Sequence, residues 1–471
     1  MLFNSFEFLV FVIIVFSAYW LAANRIRIQN LIVLVASYVF YGWWDWRFLF
    51  LIAGCSGVNF IGALLIEKSK CRLTRRLLLG VCCVISLGVL CVYKYYNFFA
   101  ENLAAMLNLI GLHPDFVTLK LVLPVGISFF TFQALSYTID VAFGKMRATR
   151  SVVDFFAFIS FFPQLVAGPI ERATNLLPQF MRQRKFCCDT AMDGLCLIAY
   201  GLAKKMVVAD TLAMYVDKAY LTPGFYSSVT CVIAAVFFAM QIYCDFSGYS
   251  DAARGFAKLF GFELMVNFNR PYMASTFAYF WRRWHISLSS WFKDYVYIPL
   301  GGNRVGFALL IRNLWIVFLL SGLWHGASWT FVGWGAIHAA FLTLGCLRRK
   351  FGWVVNDSRL TRFASIAFVD LGVTLAWVLF RAGSVECARK FFGALFAFKL
   401  KTSLMALCAG IGPMSFLFCL IAATLLCVSH FVPDDCKFRR NGSKMTFIVA
   451  CITAIVFFGM PAGGEFIYFQ F

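Results

Sequence analysis

The sequence predicts an all-α, polytopic membrane protein, and three observations carry that expectation. Hydrophobic residues make up 62% of the 471 residues and charged ones only 14%, with 56 phenylalanines among them. Apolar stretches long enough to cross a hydrocarbon core come one after another, each bounded by basic or aromatic residues. The basic residues collect in the short connections between these stretches, as they do in cytoplasmic loops. A continuous apolar run in lipid satisfies its backbone as a helix, so the chain reads as roughly 12 spanning or re-entrant pieces of about 20 residues.

The first span, Phe8 to Ala22, lacks a basic start and a small-residue cleavage site, so it is expected to be retained rather than removed as a signal peptide. Arg25 and Arg27 come after it, Lys68 to Arg76 after the third span, and Lys145 to Arg150 after the fifth. Placing these loops in the cytoplasm puts the N-terminus outside and makes Tyr41 to Arg47, with three tryptophans, an outer interfacial turn. Arg182 to Lys185, Arg348 to Lys350 and Lys437 to Lys444 then also face the cytoplasm. The last span, Met445 to Met460, carries the C-terminus outward. Pro124, Gly126, Pro163, Gly168 and Pro169 interrupt apolar runs, which suggests broken or re-entrant segments lining a cavity. No internal repeat is visible, and residues 1–471 read as one integral membrane domain.

A net charge of +20 would suggest nucleic-acid binding in a soluble protein. Here the charge is topological, with attraction to anionic lipid as a by-product, and no nucleic acid is expected as a partner. The 17 cysteines are scattered through apolar segments without a CxxC pair, which argues against a disulfide framework or a metal site.

One stretch departs from the lipid pattern. Ser247 to Arg304 mixes acidic, basic and aromatic residues, and within it Phe277, Trp281, Trp284, Leu288, Trp291 and Tyr295 recur at spacings of four and three, one face of a helix. Such a helix lies along the cytoplasmic interface, with His285 at the edge between its faces. His325 gives a sharper signal. It stands mid-way through a long apolar run, and an imidazole there needs a polar partner or a cavity, which makes it a candidate functional residue. Gly322 and Gly326 flank it and permit close approach of backbone or ligand. His338 would face roughly the opposite side of a continuous helix, about 220° on, and reads as packing. Asp245 and Asp251 are expected to hold the fold by pairing with nearby arginines. His113 and His430 carry no assigned role.

Five segments together resemble the membrane-bound O-acyltransferase family: YCDFSGYSD (Tyr243–Asp251), NFNRPY (Asn267–Tyr272), FWRRWHISLSSWFKDYVYIPLGGNR (Phe280–Arg304), SGLWHGASWTFVGWGAIH (Ser321–His338) and the terminal FIYFQF. The similarity is greatest to the bacterial polysaccharide branch, that of alginate and peptidoglycan O-acetyltransferases. It implies a helical core around a transmembrane tunnel in the bacterial cytoplasmic (inner) membrane. An acyl thioester such as acetyl-CoA would enter as substrate from the cytoplasm, with no permanently bound cofactor. His325 matches the family's catalytic histidine and His285 its second one. The chemistry agrees, because acyl transfer to a hydroxyl requires a base, and burial keeps an imidazole neutral and able to accept a proton. Arg282, Arg283 and Lys293 are candidates for the donor's phosphates, or else ordinary positive-inside anchors. Trp324 and Trp284 are candidates for lining the passage.

The terminal residues 461–471 hold an FxYxxF pattern, Phe466, Tyr468 and Phe471. An aromatic belt at the outer interface accounts for it generally. In relatives that carry D-alanine to teichoic acids, a similar tail on a small separate protein is proposed to accept the acyl group, and Tyr468 is the matching candidate relay. No outer loop is long enough for a glycan-binding domain of roughly 100 residues. The resemblance therefore implies an extracytoplasmic serine-hydrolase-like partner that places the group on a polysaccharide. Direct transfer without a tyrosine ester stays open, as do a lipid acceptor and a transporter of a small polar substrate.

Overall fold

The computed structural model describes residues 1–113, 118–119, 121–352, 358–401, 403–429, 441–460 and 466–467. Among them there is no strand, and helices carry the whole architecture. Among the same described residues, six helices are long and apolar enough to cross a membrane and four shorter ones are predominantly apolar, in keeping with the composition. The chain divides into two compact units, residues 1–194 with 253–265, and residues 195–252 with 266–471.

The first unit begins with α1 (Phe6–Leu21), α2 (Ile26–Gly42), α3 (Phe48–Lys68), α4 (Arg72–Leu90) and α5 (Tyr96–Asn108), and continues with α6 (Ile127–Ala142), α7 (Val152–Ser160) and α8 (Ala173–Phe180). Side-chain oxygens set several of these starts: Ser5 accepts the Phe8 N–H and Ser151 that of Asp154. The tryptophans of the turn between α2 and α3, Trp43, Trp44 and Trp46, are exposed. Helix α6 starts at Gly126 in the left-handed region (φ 76°), where a Cβ would lie 2.6 Å from the Leu165 carbonyl oxygen. The predicted interruption at Pro163 to Pro169 is real. Between α7 and α8 the chain is non-helical yet buried, and Gln164 donates to Gln133 and to the Phe158 carbonyl there.

Next in chain order are α9 (Cys188–Ala203), a π-helical turn (Lys204–Ala209), α10 (Asp210–Leu221) and the long α11 (Ser228–Leu259). The remainder of the second unit holds two short helices, α12 (Phe277–Trp281) and α13 (Ile286–Phe292), then α14 (Phe307–His325), α15 (Trp329–Lys350), α16 (Arg359–Arg381), α17 (Val385–Leu395), α18 (Leu404–Leu407), α19 (Pro413–Ser429) and α20 (Asn441–Phe458). The single amphipathic helix expected through Phe277 to Tyr295 is not formed. His285 takes φ 44°, which no α-helix tolerates, so α12 and α13 are separate, with the turn of residues 282–285 between them. The aromatic spacing nevertheless marks burial correctly, since Trp281, Trp284, Leu288 and Trp291 are all buried.

Candidate active site

Helices α14 and α15 form a tight hairpin, and small residues make it tight. A Cβ on Gly322 would fall 2.4 Å from the Phe331 carbonyl oxygen, and one on Gly335 would fall 2.3 Å from that of Phe318. The two backbones therefore approach closely at two successive points of the contact. The chain turns at Gly326–Ser328, and Ser328 caps α15 by accepting the Thr330 N–H. His325 is the last residue of α14 and is 4% exposed. Its ring lies edge-to-face with Trp324 (4.9 Å), Trp334 (5.0 Å) and Phe380 (5.1 Å), an aromatic box that fixes the imidazole.

His285 is held by hydrogen bonds rather than by packing alone. Asn267 Oδ1 lies 3.1 Å from His285 Nδ1 and also accepts from the Ser287 hydroxyl (2.9 Å) and backbone N–H (3.3 Å). An amide oxygen only accepts, so Nδ1 carries the ring proton and Nε2 is the basic nitrogen. The Ile286 N–H donates to the Asn267 carbonyl, and the Asn267 side-chain amide donates to Ser250 on α11. These bonds stabilise the left-handed turn, which otherwise costs about 1–3 kcal/mol. His285 lies outside the six helices long enough to span, and burial pushes its pKa down to about 3. It is therefore neutral over the physiological range. Trp324 joins the two sites, its ring centre 5.8 Å from His285 and 4.9 Å from His325.

A cavity of about 1410 Å³ opens against α12, α13 and the hairpin. Phe318 and Ser321 of α14 line it with Trp281 of α12; His325, one helical turn beyond Ser321, does not line it, and neither does Trp324. Four cations, Arg282, Lys293, Arg348 and Arg349, stand on its wall, together with hydroxyls such as Ser289, Ser290 and Ser365. An apolar chamber bordered by several cations suits an elongated ligand with an apolar arm and a phosphorylated head.

The other candidates fall differently. Arg283 is absent from the cavity wall; its guanidinium stacks on the Tyr279 ring at 4.1 Å and donates to the Tyr279 hydroxyl and the Arg270 carbonyl. Trp284 sits in an aromatic core with Tyr243, Phe268, Phe280 and Trp377 and does not line this cavity. His338 is brought back toward His325 because the helix breaks between them, contrary to the rotation expected of a continuous helix. Trp334 contacts both rings, at 5.0 Å and 4.9 Å. Asp245 and Asp251 pair with lysines, not arginines: Lys205 lies 2.6 Å from Asp245, and Lys204 2.5 Å from Asp251. Tyr468 and Phe471 lie outside the described residues.

The family model for membrane-bound O-acyltransferases matches residues 145–373, which include both histidines and every cation of the cavity. The chain is 41% identical to the probable alginate O-acetylase AlgI of Pseudomonas putida over 404 residues, 84% of this chain and 81% of that one. The chain belongs to the membrane-bound O-acyltransferase family. This acyltransferase is also 36% identical to the peptidoglycan O-acetyltransferase of Helicobacter pylori over 386 residues, 76% of this chain and 72% of that one. With the teichoic acid D-alanyltransferase of Bacillus subtilis it shares 25% identity over 257 residues, covering 51% of this chain and 65% of the relative. Two of the cavity's cations in this acyltransferase, Arg348 and Arg349, read in the sequence as a loop anchor. Helical position gives the missing signal, since they close α15 on the face that continues from Phe341 through Gly345.

Proposed function

We propose that this acyltransferase moves an acetyl group from a cytoplasmic thioester, acetyl-CoA or a close analogue, for O-acylation of an extracytoplasmic polysaccharide. His325 is the general base and Tyr468 the intermediate acceptor. The observation that carries the reading is the cavity with Arg282, Lys293, Arg348 and Arg349 on its wall, whose lining on α14 reaches Ser321, one helical turn before His325. Guanidinium and ammonium groups suit the phosphates of a coenzyme A thioester, and the apolar wall suits its acyl arm.

The acceptor hydroxyl oxygen attacks the thioester carbonyl carbon while the neutral imidazole of His325 takes the hydroxyl proton. The tetrahedral intermediate then collapses, the C–S bond breaks, and the imidazolium returns the proton to the departing sulfur. With Tyr468 as acceptor the product is a phenyl ester, which remains activated because a phenol of pKa near 10 is a better leaving group than an alkoxide. His285, neutral with its lone pair at Nε2, is suited to accept a hydrogen bond on the donor side. A cytoplasmic donor, extracytoplasmic termini and a serine-hydrolase-like partner that delivers the group to the glycan complete the scheme. Relatives named for alginate and peptidoglycan acetylation support a glycan acceptor over a lipid one.

The test is mass spectrometry of the purified protein after incubation with labelled acetyl-CoA, comparing wild type, His325→Ala and Tyr468→Phe. Label on the terminal peptide of wild type that is absent from both variants is the expected result. Label elsewhere in Tyr468→Phe, or glycan acetylation without any labelled enzyme, replaces the relay with direct transfer.

A further inference from the structure

The C-terminal segment is fastened at two points within the second unit. The Met460 N–H donates to the carbonyl of Met206 at 3.2 Å, in the π-helical turn between α9 and α10. Further on, the Ile467 N–H donates to Asp245 Oδ2 at 2.8 Å. Asp245 is itself part of a buried ionic set, because Lys205 of the same π turn bridges it (2.6 Å) to Asp210 (2.8 Å). Next to the bonded amide, Phe466 is 2% exposed, with its ring 5.1 Å from Tyr249 and 5.9 Å from Phe246. Phe246 in turn lies edge-on to His285 at 4.7 Å. An aromatic residue at an outer membrane interface would not be enclosed in this way. A carboxylate spent on a lone peptide N–H is a directional, charge-assisted bond that apolar packing does not replace.

We propose that Asp245 is a positioning residue that moors the C-terminal segment to α11 beside His285. Its carboxylate, paired with Lys205, takes the Ile467 amide proton as a hydrogen bond, and Phe466 seats between Phe246 and Tyr249. This assigns the first aromatic of the FxYxxF pattern to docking and leaves Tyr468, the next residue after the bonded amide, for chemistry. The mooring stands on its own geometry; its consequence for acyl transfer rests on the relay reading above.

The experiment is amide hydrogen exchange of the full-length protein in detergent, read at Ile467, for wild type, Asp245→Ala, Asp245→Asn, Phe466→Ala and Tyr468→Phe, with acetyl labelling of the terminal peptide measured in parallel. Asp245→Ala and Phe466→Ala are expected to raise exchange at Ile467 at least tenfold and to lower labelling in step, while amides of α14 and α15 keep their wild-type rates. Asp245→Asn, which retains an acceptor oxygen without the charge, falls between. Wild-type exchange at Ile467 in both Asp245→Ala and Phe466→Ala overturns the proposal. If Asp245→Ala alone loses its fold, seen as faster exchange in α14 and α15, Phe466→Ala decides. Tyr468→Phe separates the two ideas: protected at Ile467 but unlabelled, it supports both, whereas protection with undiminished labelling elsewhere sinks the relay and leaves the mooring.

Discussion

Asn267 Oδ1 and His285 Nδ1, 3.1 Å apart, settle which nitrogen of the buried imidazole is basic. The same oxygen serves Ser287, so the ring's orientation and tautomer are set by one amide that is itself bonded to α11 through Ser250.

This pair gives a pH prediction. Burial lowers the His285 pKa to about 3, so the neutral form dominates above that value and its titration leaves no acid limb between pH 6 and 8. Asn267→Asp places a carboxylate against Nδ1–H, which favours imidazolium and raises the pKa. The acid limb then moves up, and activity at pH 6 falls relative to pH 8. The pH dependence of kcat for acetyl transfer, wild type against variant, checks this; identical profiles would remove His285 from proton transfer.

The cavity cations predict a donor-specific effect. Arg282→Ala and Lys293→Ala each remove a cation from the wall, and a lost charged hydrogen bond of about 1.5 kcal/mol raises KM for acetyl-CoA roughly tenfold with kcat less affected. A thioester lacking the phosphorylated head is expected to show little difference between wild type and variants. Steady-state kinetics with both donors provide the comparison.

The hairpin that carries His325 predicts a sharp response to methyl groups. Gly322→Ala and Gly335→Ala push a Cβ to 2.4 Å and 2.3 Å from facing carbonyl oxygens. Each is expected to destabilise the protein by about 1–3 kcal/mol, the usual penalty of overpacking. Gly80→Ala on α4, where a Cβ meets nothing within 4 Å, serves as the comparison and is expected to be neutral or mildly stabilising. Thermal unfolding in detergent measures all three.

The solvent, the helical class and the burial of His325 were legible because hydropathy acts over whole segments. What escaped were local departures from helical geometry. A period of three and four from Phe277 to Tyr295 reports which side chains are buried, but it is blind to a single left-handed residue, and His285 is that residue. The same limit misdirected His338, whose angle from His325 was counted along a helix that ends at Gly326. Partners distant in sequence were also beyond reach. Arginines near Asp245 in the chain suggested themselves, whereas the π turn brings Lys204 and Lys205 to α11.

That π turn, Lys204–Ala209, lets the chain between α9 and α10 carry a surplus residue without turning one helix against the other. A π turn holds one more residue than the α-helical path it replaces, so the surplus is absorbed within the turn. The same residue added to a regular α-helix would rotate everything beyond it by about 100°. Lys205, which bridges Asp245 and Asp210, sits in that widened turn. A one-residue deletion there removes the widening that Lys205 occupies and leaves the facing of α10 unchanged.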